Sequence, residues 1–315
     1  MNTSFIKNTE ILMYNGEIKQ IQDINIGDYV MGADFSPLKV NNINNNVNKL
    51  YKITHNIHND YYIIDNNSHI TLKYIFSKSI NKKNNTYVIR WFDKKTLKEI
   101  SINFKFNENN FDSISKKAYA YYDNISDNNE ITMHISKFLK LPISLKSKLQ
   151  GVKTNIIFSK KNCIFDPYQT GFSESMNIFG LDPDFKIDSL YKYNSLSVRQ
   201  AYIAGMIDSI AYIYNDDKYN IDIIDGNENN YYIKDLIFMI KSIGLNCIYK
   251  NNVLKIYGKE VFNLPLKKNK MKNKLDKYNN MLIIEEYGND ISYNLQFEEQ
   301  KKFILGNCII VNGSN

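Results

Sequence analysis

Glu10-Ile11-Leu12-Met13-Tyr14-Asn15-Gly16-Glu17-Ile18-Lys19 reads as a strand, a tight turn and the start of a second strand. Ile11 to Met13 is a short apolar run, and Asn15-Gly16 is the dipeptide best suited to a two-residue hairpin turn, because both central residues must take positive φ. Working outward, Ile18 and Ile21 lead to Asp23-Ile24, and Gly27-Asp28 turns the chain into Tyr29-Val30-Met31. Strand-like runs follow at Leu50–Thr54, Tyr61–Ile64, Ile70–Tyr74 and Thr86–Phe92. The first hundred residues therefore predict an all-β unit.

The middle of the chain changes period. Glu130–Leu141 has helical apolar spacing and is predicted as a helix ended by Pro142, and Ser195–Tyr212 is predicted as a second. Tyr232–Ile243, stopped by Gly244, predicts a third, and Leu245–Tyr249 and Val253–Tyr257 predict strands joined at Lys250-Asn251-Asn252. These elements suggest an α+β unit from about Asp188 to Pro265, and the Lys/Asn stretch Lys267–Asn280 reads as an exposed linker. Strand patterns then return at Met281–Glu285, Ser292–Phe297 and Lys302–Val311. The expected architecture is a β unit split by an α+β insertion.

Composition narrows the function classes. Three Cys and four His cannot supply a disulfide framework or repeated zinc pairs. No apolar run approaches the roughly 18 residues that cross a bilayer, and no signal-peptide stretch opens the chain. An intracellular protein, nuclear or cytoplasmic, is expected, with no membrane partner. Forty Lys and Arg against 33 Asp and Glu leave +7, which favours a polyanionic partner. Arg occurs only at Arg90 and Arg199, whereas Asn, Ile, Lys and Tyr abound. That bias fits an A/T-rich genome, so part of the basic charge reflects codon usage.

The segment Ser4-Phe5-Ile6-Lys7-Asn8-Thr9 through Lys19, with Gly27-Asp28-Tyr29-Val30-Met31-Gly32-Ala33-Asp34, resembles the opening of an intein. It is similar to inteins of the yeast vacuolar-ATPase type and to the yeast mating-type switching (HO-type) endonuclease derived from them. Phe303-Ile304-Leu305-Gly306-Asn307-Cys308-Ile309-Ile310-Val311 resembles their closing segment. Ile187 to Ser195, Arg199 and Tyr202-Ile203-Ala204-Gly205-Met206-Ile207-Asp208-Ser209 resemble the second helix motif of LAGLIDADG homing endonucleases, and Asp235–Gly244 resembles the helix after it. The resemblance implies a mainly β Hint domain split by an α+β LAGLIDADG-like insertion. It places N-terminal Hint strands at 1–105 and a connecting segment that is a candidate DNA-recognition region at 106–165. A truncated endonuclease-like domain with the Lys-rich linker follows at 166–280, and C-terminal Hint strands at 281–315.

The implied activities are protein self-splicing and site-specific double-strand DNA cleavage with Mg²⁺. Splicing needs a first nucleophile, a His that protonates the scissile amide, a cyclising Asn and a second nucleophile. Ser4 stands at the first position and His69 at the activating His, although Asn66 replaces the Thr usual three residues earlier. Aligned on Phe303–Val311, Asn312 falls at the penultimate His, Gly313 at the cyclising Asn and Ser314 at the second nucleophile. Gly313 cannot cyclise. Asn312-Gly313, a dipeptide prone to succinimide formation, offers a shifted register that then lacks the nucleophile. With three residues before Ser4 and one or two at the far end, no flanking chains to ligate are expected.

In the nuclease motif each of two helices delivers a metal carboxylate at its C-terminus. Here Asp208 is the structural acid and the candidate metal residue, while Ile210 stands where the metal carboxylate belongs and Ala211 replaces the Gly after it. Asp166-Pro167-Tyr168-Gln169-Thr170-Gly171-Phe172 resembles the lead-in to the first motif, but the apolar helix is missing. Deletion of most of the first repeat is expected. The resulting expectation is a protein degenerate in both activities that still binds double-stranded DNA, with Arg199, Arg90, Lys267 and Lys268 as candidate contacts. One alternative is an active Mg²⁺-dependent endonuclease acting as a homodimer, with Asp208, Asp216 or Asp217 recruited for metal. Another is an autoprocessing Hint protein using Ser4 and His69. His55 and His58 read as solvated loop residues, His134 as a surface residue on a helix, and Cys308 as a small core residue within a strand.

Overall fold

The computed structural model describes residues 3–314 apart from 56–59, 76, 95, 97, 127–128, 177–183, 215–217, 224–229, 272–280 and 300. Eleven strands come first: β1 (Ser4–Ile6), β2 (Glu10–Leu12), β3 (Ile18–Gln20), β4 (Tyr29–Met31), β5 (Pro37–Lys39), β6 (Asn42–His55), β7 (Asp60–Asp65), β8 (His69–Tyr74), β9 (Ser77–Asn81), β10 (Thr86–Phe92) and β11 (Glu99–Lys105). Then come α1 (Phe111–Ser126), β12 (Glu130–His134), α2 (Ile135–Leu139), α3 (Ile143–Lys146) and β13 (Leu149–Gly151). The insertion holds α4 (Pro167–Glu174), α5 (Ser189–Lys192), α6 (Leu196–Ile210), β14 (Tyr212–Tyr214), β15 (Lys218–Asp222), α7 (Tyr231–Ser242), β16 (Asn246–Lys250) and β17 (Val253–Tyr257). Last are β18 (Leu282–Gln296), β19 (Lys302–Ile304) and β20 (Ile310–Asn312).

The two halves of the β unit close on each other. β1, β18, β6 and β7 form a closed antiparallel barrel, so the first and last parts of the sequence are neighbours in one sheet. β18 pairs with β6 from Leu282↔His55 to Gln296↔Asn42, with a bulge at Glu286/Gly288, where Gly288 takes φ +126°. Met281–Glu285 and Ser292–Phe297 are thus parts of one strand, not two. The β core gathers Phe5, Ile11, Val30, Ile53, Ile64, Leu72, Leu295, Phe303 and Val311.

Two predicted elements are corrected. Glu130–Leu141 is not a helix: Glu130–His134 pairs with His69–Lys73 of β8, and only Ile135–Leu139 is helical. Ile131 and Met133 alternate into the β core, so sheet pairing overrides the helical spacing. Pro142 stands at the N-cap of α3. Residues 130–151 therefore belong to the β unit, although they were read as part of a connecting segment. Lys302–Val311 is a hairpin of β19 and β20, and Cys308 lies in its turn at φ +65°.

β9, β10 and β11 form a separate three-stranded sheet with its own small core, in which Tyr87, Ile89 and Ala118 of α1 meet. The insertion is an antiparallel sheet in the order β14-β15-β17-β16. The predicted β16–β17 hairpin is present, with Asn251 and Asn252 at φ +51° and +59°. Its core is continuous with the β unit: Leu12, Met31, Ile304, Cys308 and Ile310 pack with Tyr202, Ile203, Leu236 and Met239.

Candidate functional site

Ser4 opens β1 and faces Asn294 of β18 in the barrel register. The peptide joining Thr3 to Ser4 is gripped on both sides. Its oxygen accepts from Asn294 Nδ2 at 3.1 Å, and its N–H donates to Ser68 Oγ at 3.1 Å. Ser68 in turn donates a short hydrogen bond to the Asp65 carboxylate. Ser314 Oγ accepts from Asn294 Nδ2 at 2.7 Å and from Thr3 N–H at 3.3 Å. Thr3, Ser4, Ser68, Asn294 and Ser314 are all buried.

His69 joins through its backbone. Its carbonyl accepts from Thr3 Oγ1 at 3.2 Å and from Asn312 Nδ2 at 3.3 Å, while Thr132 Oγ1 donates to Asn312 Oδ1 at 3.5 Å. The His69 ring meets His134 edge-on at 5.2 Å between centroids, and His134 caps α2 by accepting from Ser136 N–H, so it is not a helical surface residue. Ser4, His69, Asn312 and Ser314, singled out from the sequence, thus converge. Ser68, Asp65 and Asn294 escaped sequence reading. Asn294 comes opposite Ser4 only through the register of β1 on β18, and no local pattern announces that.

The far end of this cluster is closed to cyclisation. A Cβ at Gly313 would lie 2.3 Å from the Phe297 ring and 2.8 Å from the Lys301 carbonyl oxygen, so an Asn side chain there would collide. Succinimide formation at Asn312-Gly313 is opposed as well. The attacking Gly313 N–H donates to Lys301 O at 2.7 Å, and the Asn312 amide is held at both ends.

A second candidate region is the contact of α4 with α6. The first helix, expected to be largely deleted, is present at Pro167–Glu174, capped by Asp166. A Cβ at Gly171 would lie 2.0 Å from Tyr202 O, and one at Gly205 would lie 2.0 Å from Tyr168 O. Tyr168 donates to Asp208 at 2.8 Å, Tyr202 donates to Glu174 at 2.7 Å, and Ser175 Oγ meets Ser209 Oγ at 2.9 Å. Tyr168, Gly171, Glu174 and Ser175 of the first segment answer to Tyr202, Gly205, Asp208 and Ser209 of the second at a constant offset and exchange reciprocal contacts, so the two are related by a local two-fold. That relation sets Met176 opposite Ile210, and both helix ends carry an apolar side chain where a metal carboxylate was expected.

Asp208 itself is engaged through both oxygens. It accepts from Tyr168 Oη and from the backbone N–H groups of Lys267 (2.6 Å), Lys268 (3.2 Å) and Asn269 (2.7 Å). Burial alone would raise its pKa, but the Asn269 and Lys267 amides, the Tyr168 hydroxyl and the Lys268 amide outweigh that and hold it below the usual carboxylate range. Three of these donors fall on Oδ2 and one on Oδ1, and Ile210 and Met176 bring no oxygen ligand to the helix ends, so the residues present do not fit Mg²⁺. Among the described residues no group of three or more His, Cys, Asp and Glu could hold a metal ion. Asp216 and Asp217 lie outside the described residues. The glycine face of α6 is covered by α4 of the same chain, which leaves no room there for a second copy.

The candidate DNA contacts separate. Arg199 is fully buried, donating to Asn194 O, Ser242 O and Oγ, and Ile156 O over the Phe158 ring. It ties α6 to its preceding loop and to α7 and offers nothing to a phosphate. Arg90 is partly exposed beside Ser79 and Glu99. Lys267 and Lys268 are exposed, with Nζ over the Tyr168 and Phe172 rings at 3.8 and 4.8 Å. The linker thus begins as a cap on α6: Asn269 Nδ2 also donates to Ile207 O and Ala211 O. His55 is buried, not solvated, and His58 is outside the described residues. Cys308 is buried with its thiol pushed up to about 12 by desolvation, which makes it inert. Among the described residues no helix is long and apolar enough to cross a membrane.

A family model described as "Hom_end-associated Hint" matches residues 4–311. No curated protein matches the chain. A solved structure described as "Crystal structure of gp41-1 intein" is similar over 34% of this chain and 91% of its own length, at 15% identity and a TM-score of 0.20.

Proposed function

The chain belongs to the Hom_end-associated Hint family, and from that premise we propose that it performs the opening step of intein chemistry, an acyl shift at Thr3–Ser4, beside a LAGLIDADG-type helix pair that no longer cuts DNA. The observation that carries this reading is the grip on the Thr3–Ser4 amide by Asn294 Nδ2 and Ser68 Oγ. Ser4 Oγ adds to the Thr3 carbonyl carbon, and a C–O bond replaces the C–N bond. The hydroxyl proton ends on the freed Ser4 amine. His69, adjacent to Ser68, is assigned to that proton transfer by resemblance to the vacuolar-ATPase intein lineage. The product is an ester at Ser4, and with Gly313 in place of the cyclising Asn the sequence of steps stops at N-terminal release.

Intact mass of the full chain and of Ser4→Ala, with and without hydroxylamine at neutral pH, tests this. The expected result is loss of the residues before Ser4 in the wild type alone. Any cleavage after Asn15 or Asn312, the two Asn-Gly bonds, would be common to both proteins and is told apart by its different masses. An unchanged N-terminus in the wild type would end the proposal.

A second reading, DNA binding without cleavage, is favoured by the placement of charge. Residues 77–126, the β9–β11 sheet with α1, contain ten Lys and Arg against five Asp and Glu, a net +5 of the chain's +7. Lys82 and Lys83 stand exposed at the β9–β10 turn, and Lys94 and Lys98 are exposed beyond β10. Anisotropy with a fluorescent duplex should show affinity falling steeply with salt. Lys82→Glu with Lys83→Glu should reduce the log–log salt slope by roughly 2, and added Mg²⁺ should leave the duplex uncut. A slope unchanged by the double variant would place the contacts elsewhere.

A further inference from the structure

We infer that Asn294 is the oxyanion donor of the Thr3–Ser4 acyl shift, an assignment that rests on the reading above. Asn294 lies on β18, directly opposite Ser4 in the register of the neighbouring strands β1 and β18, and is 8% exposed. An amide nitrogen carries two hydrogens. The Asn294 Nδ2 contacts go to Thr3 O at 3.1 Å and to Ser314 Oγ at 2.7 Å. The orientation is fixed by chemistry: Thr3 O is an acceptor only, so Nδ2 and not Oδ1 must face it.

As Ser4 Oγ adds to the carbonyl carbon, negative charge grows on the atom that Asn294 already touches. A preorganised donor in a site closed to water stabilises that charge without having to reorient. On the other side of the amide, Ser68 holds the departing nitrogen and Asp65 orients Ser68. Among the described residues, the buried Asn294 Oδ1 has no hydrogen-bond partner. A residue kept only to fill the barrel would avoid that unsatisfied acceptor, since leaving one buried is costly. The cost is offset where the amide N–H groups serve the reacting carbonyl. By the same contact Asn294 pins Ser314 beside that carbonyl, so one side chain organises both hydroxyl positions.

The test compares wild type, Asn294→Ala and Asn294→Asp as full chains, trapping the ester with neutral hydroxylamine. Thr3–Ser4 is the only Thr-Ser pair in the sequence. Labelling Thr at the carbonyl carbon with ¹³C and Ser with ¹⁵N therefore yields a single directly coupled NMR signal from this bond. Asn294→Ala should slow trapping about 100-fold and shift the Thr3 carbonyl signal upfield. Asn294→Asp should be as slow at neutral pH, where a carboxylate cannot donate, and should recover in acid relative to the wild-type profile. If Asn294→Ala does not fold, the pH profile of Asn294→Asp decides, because a profile parallel to wild type overturns the assignment. Trapping by Asn294→Ala at the wild-type rate also overturns it and leaves the acyl shift standing. Absence of any Ser4-dependent ester in the wild type overturns both, and that failure is seen before the variants are compared.

Discussion

His55 ends β6 with its ring buried between Gly151 and Tyr62. A Cβ on Gly151 would lie 2.0 Å from His55 Cε1, so only glycine leaves space for the imidazole. Desolvation, and then the nearby Lys153 ammonium, lower its pKa to about 4, with Asp60 pulling weakly the other way. The folded state therefore binds a proton less readily than the unfolded chain. The stability this group contributes is complete above the unfolded value of about 6.5 and is lost as pH falls toward and below 4. Urea midpoints measured across that window should fall with acid, by up to roughly 3 kcal/mol from this site. His55→Gln should flatten that part of the profile. A wild-type midpoint that does not change between these pH values would show that the ring is not desolvated. The sequence misplaced this residue because the strand predicted at Leu50–Thr54 runs one position further and carries His55 inside.

At the scale of elements, the α4–α6 pair depends on two glycines that let backbones touch. Gly205→Ala would thrust a methyl group to 2.0 Å from the Tyr168 carbonyl oxygen, a backbone atom that cannot rotate away. Separating the helices would also stretch the Tyr168–Asp208 and Tyr202–Glu174 hydrogen bonds. A loss of about 1–3 kcal/mol or more is expected from overpacking alone, read as a lower denaturant midpoint. A midpoint equal to wild type would show that the helices do not meet at these glycines. α6 was legible because its apolar residues recur at helical spacing and it is buried almost all round. α4 was not. Gln169, Thr170, Ser173 and Glu174 give it no apolar stripe, and it is helical because Gly171 docks it on α6 and Asp166 caps it. The same limit applies to the candidate site. Ser4, His69, Asn312 and Ser314 sit at motif positions and could be read, whereas Ser68, Asp65 and Asn294 gain their roles from pairings between strands remote in sequence.

For the whole molecule, the insertion is bound to the β unit by a common core and by a buried charge cluster. Asp60 of β7 accepts from Lys241 of α7 at 2.6 Å and also pairs with Lys153. Burial raises the Asp60 pKa and the two ammonium groups more than reverse this, so it stays ionised. The cluster is satisfied only while the carboxylate remains. Asp60→Asn would leave Lys153 and Lys241 facing each other with little water, and breaking a buried pair from one side costs about 3–5 kcal/mol. Because Leu12, Met31, Ile304 and Ile310 of the β unit pack with α6 and α7, that loss cannot be confined to the insertion. The wild type should unfold in one transition, with near-ultraviolet circular dichroism and the fluorescence of Trp91 in β10 coinciding, which is the standard test for a two-state change. Asp60→Asn should lower that single midpoint without splitting it. If the insertion melted first, leaving the barrel folded, the shared core would not couple the units, and the nuclease-like insert would be a passenger rather than part of the scaffold that holds Asn294 against Thr3.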